Sequence, residues 1–299
     1  MRLLRRFSWF LLLFGGVFFP VLASELPSGH ASSAEIATSP RRIISLMPSL
    51  TELIFALHLG DRVVGVSDYC TFPVEVASCT RVGAMELNLE RIVILRPELI
   101  LDLEGMHQRY DDSFRRFGIP VKNYQVRRLA EIPSAAICLA KDLGEPAKGE
   151  EFAAKWNEEL ASLVTDISSK KSPRRVYIEV WDSPIQAAGP ETFIDDILSA
   201  AGGKNILAAS KLPFPVVDSE KIVLGSPEII LLAYRTKDPG AVARRSGWGN
   251  LPAVRAGAIR TIDPDVFVRP GPRCLAAIRE LKSILASFSE AADGKALAP

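Results

Sequence analysis

The side chains able to do chemistry in this chain are few and far apart. Its three histidines, His30, His58 and His107, are scattered along the sequence, which argues against a histidine-built zinc or haem centre. No segment reads GxxxxGK followed by Ser or Thr, and none reads GxGxxG, HExxH or GxSxG. The usual nucleotide, dinucleotide, zincin and hydrolase devices are therefore missing. Asp182, Glu191 and Asp265 could serve as acids or bases, but no nucleophile, base and orienting group form a set. Cys70 and Cys79 lie nine positions apart in a segment holding Pro73. A bridge between them would close a short loop and stabilise the fold by roughly 2–3 kcal/mol. Cys138 and Cys274 fall in helical patterns in different halves and read as unpaired core residues.

The chain has 299 residues, 48% hydrophobic and 24% charged, which suits a packed protein of two domains of about 120–150 residues each. Lys and Arg total 36 against 35 Asp and Glu, so no basic excess points to a nucleic-acid partner. Arg2, Arg5 and Arg6 precede an apolar run from Phe7 to Leu22 that ends at Ala23. That is the pattern of a cleaved secretory signal peptide over residues 1–23. The run is shorter than the roughly 20 residues a bilayer needs, and Gly15, Gly16 and Pro20 weaken it as a helix. Residues 24–40, rich in Ser, Ala and Pro, read as a flexible leader. The mature chain is expected to be a soluble monomer exported to the periplasm, where disulfides can form.

The elements that must position any site alternate in type. Arg42–Leu46 is a short β-branched run, and Pro48 opens an apolar helix in which Ser49 and Glu52 have capping-box spacing. Strands follow at Val63–Val66, Leu99–Leu103 and Pro120–Tyr124, and a second strand–helix series starts at Arg175. This rhythm predicts parallel sheets covered by helices. Between the series, Phe152, Trp156, Leu160, Leu163, Val164 and Ile167 fall on one stripe of a long helix. The fold class is α/β: two Rossmann-like lobes with parallel-rich sheets, at 41–145 and 171–290, joined by one long rigid helix over 146–170, with a tail at 291–299.

An internal repeat carries the most information. Residues 88–101, NLERIVILRPELIL, align without gaps with residues 218–231, DSEKIVLGSPEIIL. Each copy is a short helix, stopped before a proline, that feeds a buried strand. Glu90 and Glu220 are thereby placed at equivalent positions of two similar halves.

The repeat and its flanks resemble the bilobal substrate-binding proteins of ABC importers for cobalamin and iron-siderophores, over Arg42 to about Ala286. The landmarks are Arg42–Glu52, Val64–Tyr69, Asn88–Ile92 and Phe267–Arg273. The resemblance implies cargo held between the lobes, walled by aromatics with an acidic and a basic residue at the polar edge. Carried onto this sequence, it points to Tyr69, Trp181 and Phe214 as the walls and to Asp265 and Arg269 as the edge. Cobalamin-binding members have a tryptophan shortly before the Asn-Leu-Glu-Arg run, where this chain is one residue shorter and offers Met85 and Glu86. A thioether can also line an apolar face. The resemblance further implies that Glu90 and Glu220 dock on the permease subunits of an importer, since arginine–carboxylate pairs fix orientation.

The expected function is capture of cobalamin or a related corrinoid, with no enzymatic activity, resident cofactor or metal. A ferric siderophore or haem is the alternative cargo, with Tyr69 able to ligate iron. An exported enzyme on the same scaffold is a remote third.

Overall fold

The computed structural model describes residues 39–165, 173–236 and 238–294. The expected signal peptide and all but the last two residues of the expected leader lie outside them. The first series runs β1 (Ile43–Ser45), α1 (Pro48–Ala56), β2 (Val63–Val66), β3 (Thr80–Arg81), α2 (Leu89–Ile94), β4 (Leu99–Leu103), α3 (Asp111–Arg116), β5 (Val121–Tyr124) and α4 (Glu131–Asp142). Its sheet has the order β3-β2-β1-β4-β5, with every pair parallel. The chain then enters α5 (Pro146–Thr165), the expected linker helix, with residues 166–172 outside the described set.

The second series runs β6 (Arg174–Asp182), β7 (Ile185–Ala187), α6 (Phe193–Ala200), β8 (Gly203–Asn205), α7 (Ser219–Gly225), β9 (Ile229–Leu232), α8 (Pro252–Arg255), β10 (Ile259–Thr261), α9 (Pro264–Phe267) and α10 (Cys274–Gly294). Here β10, β9, β6 and β8 pair in parallel and β7 returns antiparallel to β6. Parallel strands demand crossovers, and the helices supply them.

Alternation along the strands sorts side chains into layers. Ile43, Leu99 and Leu101 share one buried cluster with Val176, Ile178, Ile229, Leu231, Trp156 of α5 and Leu281 of α10. Their neighbours Ile44 and Ile100 face the other side of the first sheet, and Tyr177, Ile230 and Leu232 the other side of the second. The two sheets are therefore tied by continuous apolar packing through α5 and α10. Such a joint permits small closing motions and resists a wide hinge.

The repeat is preserved in atomic detail. Arg42, just before β1, donates from Nε to the Leu95 carbonyl at 3.0 Å, and Arg175 in β6 donates from Nε to the Ser226 carbonyl at 2.9 Å. Glu98 accepts from the Arg42 amide at 3.3 Å, and Glu228 from the Arg175 amide at 2.9 Å. Arg96 and Ser226, equivalent residues, both turn the chain with positive φ, 46° and 45°. Each lobe thus stops its short helix and starts its next strand with the same arginine–glutamate brace.

Three local expectations change. α1 has Met47 as its N-cap, and Ser49 Oγ is buried without a partner, so the capping box does not form. Cys138 is exposed, not core, whereas Cys274 is buried. Val164 is also exposed, so among the described residues the stripe on α5 consists of Phe152, Trp156, Leu160 and Leu163, and Ile167 lies outside them.

Candidate functional site

The loops after the C-terminal ends of the parallel strands carry the candidate residues, as α/β sheets require. After β2, the Ser67 amide donates to the Ser45 carbonyl at 3.1 Å and the Cys70 amide to the Ser67 carbonyl at 3.1 Å. This turn sends Tyr69 outward, 52% exposed, and Cys70 inward. Cys70 Sγ sits 3.1 Å from Thr51 Oγ1 and 3.3 Å from Ser67 Oγ, and burial pushes its thiol pKa up. Cys79 Sγ instead approaches the Val63 carbonyl at 3.5 Å. The Cys70–Cys79 bridge expected from spacing is therefore not made: both are free thiols with separate polar neighbours.

After β3 the chain bends at Gly83, whose φ of +100° and approach to the Glu86 carbonyl leave no room for a Cβ. Met85 is exposed at the tip of this bend. Residues following β4 hold it in place. Arg109 donates to the Met85 carbonyl and pairs with Glu86 at 2.8 Å. Tyr110 Oη accepts from the Leu87 amide at 2.9 Å and donates to Glu86 at 3.1 Å. His107 is buried, with Nδ1 3.0 Å from both carboxylate oxygens of Asp102 and Nε2 3.1 Å from the Ala84 carbonyl. Both ring nitrogens face acceptors, so only the imidazolium satisfies both contacts.

The Asp102 hydrogen bond, ahead of the opposing desolvation, raises the His107 pKa above its ordinary value of 6.5. A raised folded-state pKa stabilises the fold fully below the unfolded value and loses that contribution as pH climbs through the folded value. The melting-temperature advantage of the wild type over His107→Gln should accordingly be largest near pH 6 and shrink toward about pH 9. A difference constant over that range would show that folding leaves the His107 pKa unshifted, and one that grew with pH would show a ring held neutral.

In the second lobe, Trp181 stands near the end of β6, 55% exposed, with Nε1 donating to the Ser183 carbonyl at 3.0 Å. Its register partner is Gln186, whose Nε2 donates to the Phe214 carbonyl at 3.3 Å. The Gly189 amide donates to the Pro213 carbonyl at 2.7 Å, and a Cβ on Gly189 would meet the Leu212 carbonyl at 2.5 Å. Gly189 therefore lets the loop bearing Phe214 lie against the sheet beside Trp181. Phe214, Leu212 and Val216 remain exposed.

Asp265 and Arg269 pair at 2.7 Å, but not on a solvated loop, since Arg269 is largely covered. Asp265 also accepts from Arg235 at 2.7 Å. Arg269 reaches Thr71 Oγ1 of the first lobe at 3.3 Å, two residues beyond Tyr69. Arg273 grips buried Glu52 through Nε and Nη2 at 2.9 and 2.6 Å and lies 4.5 Å above the Phe72 ring. Burial raises the Glu52 pKa against the opposing pull of Arg273. A second latch joins Arg128, before α4, to Asp196 of α6 through Nε and Nη2 at 2.8 and 2.5 Å.

The structure thus joins Tyr69's loop to Arg269, Arg269 to Asp265, and Trp181 to Phe214 through Gln186. Among the described residues, no hydrogen bond or ring contact links Met85 to the other five. Glu52, Phe72 and Arg273 escaped the sequence reading; Arg273 closes the Phe267–Arg273 landmark, which was the available signal. A cavity of about 390 Å³ lies among Leu57, Phe152, Trp156 and Leu275, with Arg273 on its wall, and touches none of the six. Among the described residues, no three His, Cys, Asp or Glu side chains are grouped to hold a metal ion, and no helix is long and apolar enough to cross a membrane. Glu90 and Glu220 are exposed in the first turns of α2 and α7, and neither carboxylate has a partner among the described residues.

A sequence model of one family, described as periplasmic binding protein, matches residues 43–266, which span both sheets and every loop just described except residues 267–273, with Arg269 and Arg273. The chain belongs to the periplasmic binding protein family. This periplasmic binding protein is 30% identical over 270 residues to an uncharacterized ABC transporter substrate-binding lipoprotein of Bacillus subtilis, covering 88% of this chain and 84% of that one. It is 29% identical over 255 residues to the vitamin B12-binding protein of Vibrio parahaemolyticus, covering 84% and 91%. Among solved structures, the periplasmic vitamin B12 binding protein of Vibrio cholerae superposes with a TM-score of 0.70 at 28% identity, over 84% of this chain and 98% of that one. The periplasmic heme-binding protein of Roseiflexus sp. RS-1 superposes with a TM-score of 0.74 at 27% identity, over 84% and 99%.

Proposed function

We propose that this periplasmic binding protein captures cobalamin or a related corrinoid between its two lobes and delivers it to the permease subunits of an ABC importer, after export through a cleaved signal peptide. The observation that carries this reading is the set of exposed rings, Tyr69 and Phe214 on loops and Trp181 at the C-terminal end of β6, which both lobes contribute. Aromatic faces of this kind cover a large, flat, amphipathic ligand at low entropic cost. The relatives named as vitamin B12-binding proteins support the same cargo. Asp265 and Arg269 supply the polar edge, and Met85 adds a soft apolar contact.

A second cargo is favoured by one feature. Arg235, Arg269 and Arg273 cluster with Asp265 and Glu52, with Asp263 also acting on Arg273, and guanidinium groups gathered in this way suit an anionic siderophore or haem propionates. The exposed Tyr69 phenol could then ligate iron. Separate titrations with cyanocobalamin, haemin and a ferric siderophore, followed by absorbance, decide between these cargoes; saturable binding of cyanocobalamin alone is the expected result. Trp181→Ala should weaken cyanocobalamin binding by about 2 kcal/mol, or roughly 30-fold in Kd by isothermal titration. Unchanged affinity would remove Trp181 from the cargo wall.

A further inference from the structure

The two acidic helices share a feature that their carboxylates alone do not explain. Val93 and Ile94 of α2 correspond to Val223 and Leu224 of α7. The preceding residue of each helix, Ile92 or Ile222, is fully buried, whereas the pair after it faces solvent, with Ile94 69% and Leu224 85% exposed. A helix covering a sheet ordinarily turns its aliphatics inward. One exposed leucine needs no explanation. The same pair exposed in both lobes, three and four residues after the same unpartnered glutamate, does need one. That spacing puts each carboxylate and its aliphatic pair on one helical face. The arginine–glutamate braces hold both faces in the same local conformation.

We propose that Val93–Ile94 and Val223–Leu224 are the apolar half of the surface that seats the two lobes on a pair of permease subunits. Each aliphatic pair enters an apolar recess beside a cation that meets Glu90 or Glu220. This rests on the proposed delivery to permease subunits and on the docking role that the resemblance implies for Glu90 and Glu220. The doubling of one mixed patch selects a two-fold partner, because a partner with a single site would need it only once. The carboxylates steer and orient the encounter, and the aliphatic contact holds it at ionic strengths that screen exposed charges.

The test measures docking of the exported chain on its cognate importer in lipid nanodiscs, at about 50 mM and about 500 mM salt. Val93→Ser with Ile94→Ser, and Val223→Ser with Leu224→Ser, should each weaken docking about tenfold, and all four together about 100-fold, by the same factor at both salts. Melting temperature and cyanocobalamin affinity should stay at wild-type values, since the four side chains are exposed and outside the cargo loops. A quadruple variant docking within about twofold of wild type, while Glu90→Lys with Glu220→Lys does not dock, overturns the apolar contact and leaves the carboxylate reading standing. The converse result supports the apolar contact and removes the carboxylates. A wild-type chain that does not dock sinks both. Sedimentation of the chain alone adds a further arm: a dimer that the quadruple variant abolishes would assign the patch to a second copy and overturn the proposal.

Discussion

Replacing Arg245 with methionine should lower the unfolding free energy by about 3–5 kcal/mol, because it strands a buried carboxylate. Glu179, in the middle of β6, has no solvent exposure. Its two oxygens accept from Arg245 Nη1 and Nη2 at 2.6 and 2.8 Å, from Tyr177 at 3.2 Å and from Tyr234 at 2.7 Å. Burial, the largest cause, pushes both phenol pKa values above their ordinary range, so both hydroxyls remain donors. The guanidinium also lies 4.8 Å over Trp248, whose ring meets Tyr177 edge-on at 6.0 Å. Methionine keeps much of the side-chain volume but removes the one cation paired with Glu179 among the described residues. Adding Glu179→Gln should recover part of the loss by removing the stranded charge while leaving an acceptor for the tyrosines. Urea denaturation provides the measurement. A loss below about 1 kcal/mol would mean that water reaches Glu179 once the arginine is gone.

Charge reversal at both Glu90 and Glu220 should abolish stimulation of the importer's ATPase while leaving cyanocobalamin affinity within about twofold of wild type. The two residues begin short helices that carry none of the three exposed rings, and each carboxylate is exposed without a partner among the described residues. On the proposed docking, a lysine there would face the partner's cation with like charge, which costs several kcal/mol of docking energy, whereas neither carboxylate has a partner within the described fold. Either reversal alone should leave residual stimulation, because the other lobe still engages. The measurement is ATP turnover by the importer in proteoliposomes with saturating cargo. Lost cargo affinity would contradict the separation of docking from capture; full stimulation would remove both glutamates from the docking surface.

Much of this architecture was legible before any coordinates. The largely apolar runs at 43–45, 63–66 and 99–103 became parallel strands because a strand buried on both faces is mostly apolar, which is easy to read. The duplicated segment foretold two matching halves, since it repeats a helix stop and a strand start. What escaped were groups whose partners are remote in sequence. Glu52 looked like a capping residue three positions after Ser49, but its partner is Arg273, 221 positions away. The Cys70–Cys79 spacing permitted a bridge, yet a two-residue turn buries one sulfur against Thr51 and Ser67 and leaves the other beside Val63. Spacing limits which pairs can meet; side-chain direction decides which do. Trp181 and Phe214 were placed by resemblance, and their common contact, Gln186, carried no signal of its own in the sequence.

The arginine–glutamate brace sits where strands begin, and the cargo loops sit where strands end. In a parallel sheet these are opposite margins, separated by the full length of the strand. Loops at one margin can therefore drift in sequence, exchange a tryptophan for a methionine or accept a new solute, without disturbing the braces at the other. A lineage built on this plan could broaden its diet of nutrients while its handshake with the membrane stayed the same.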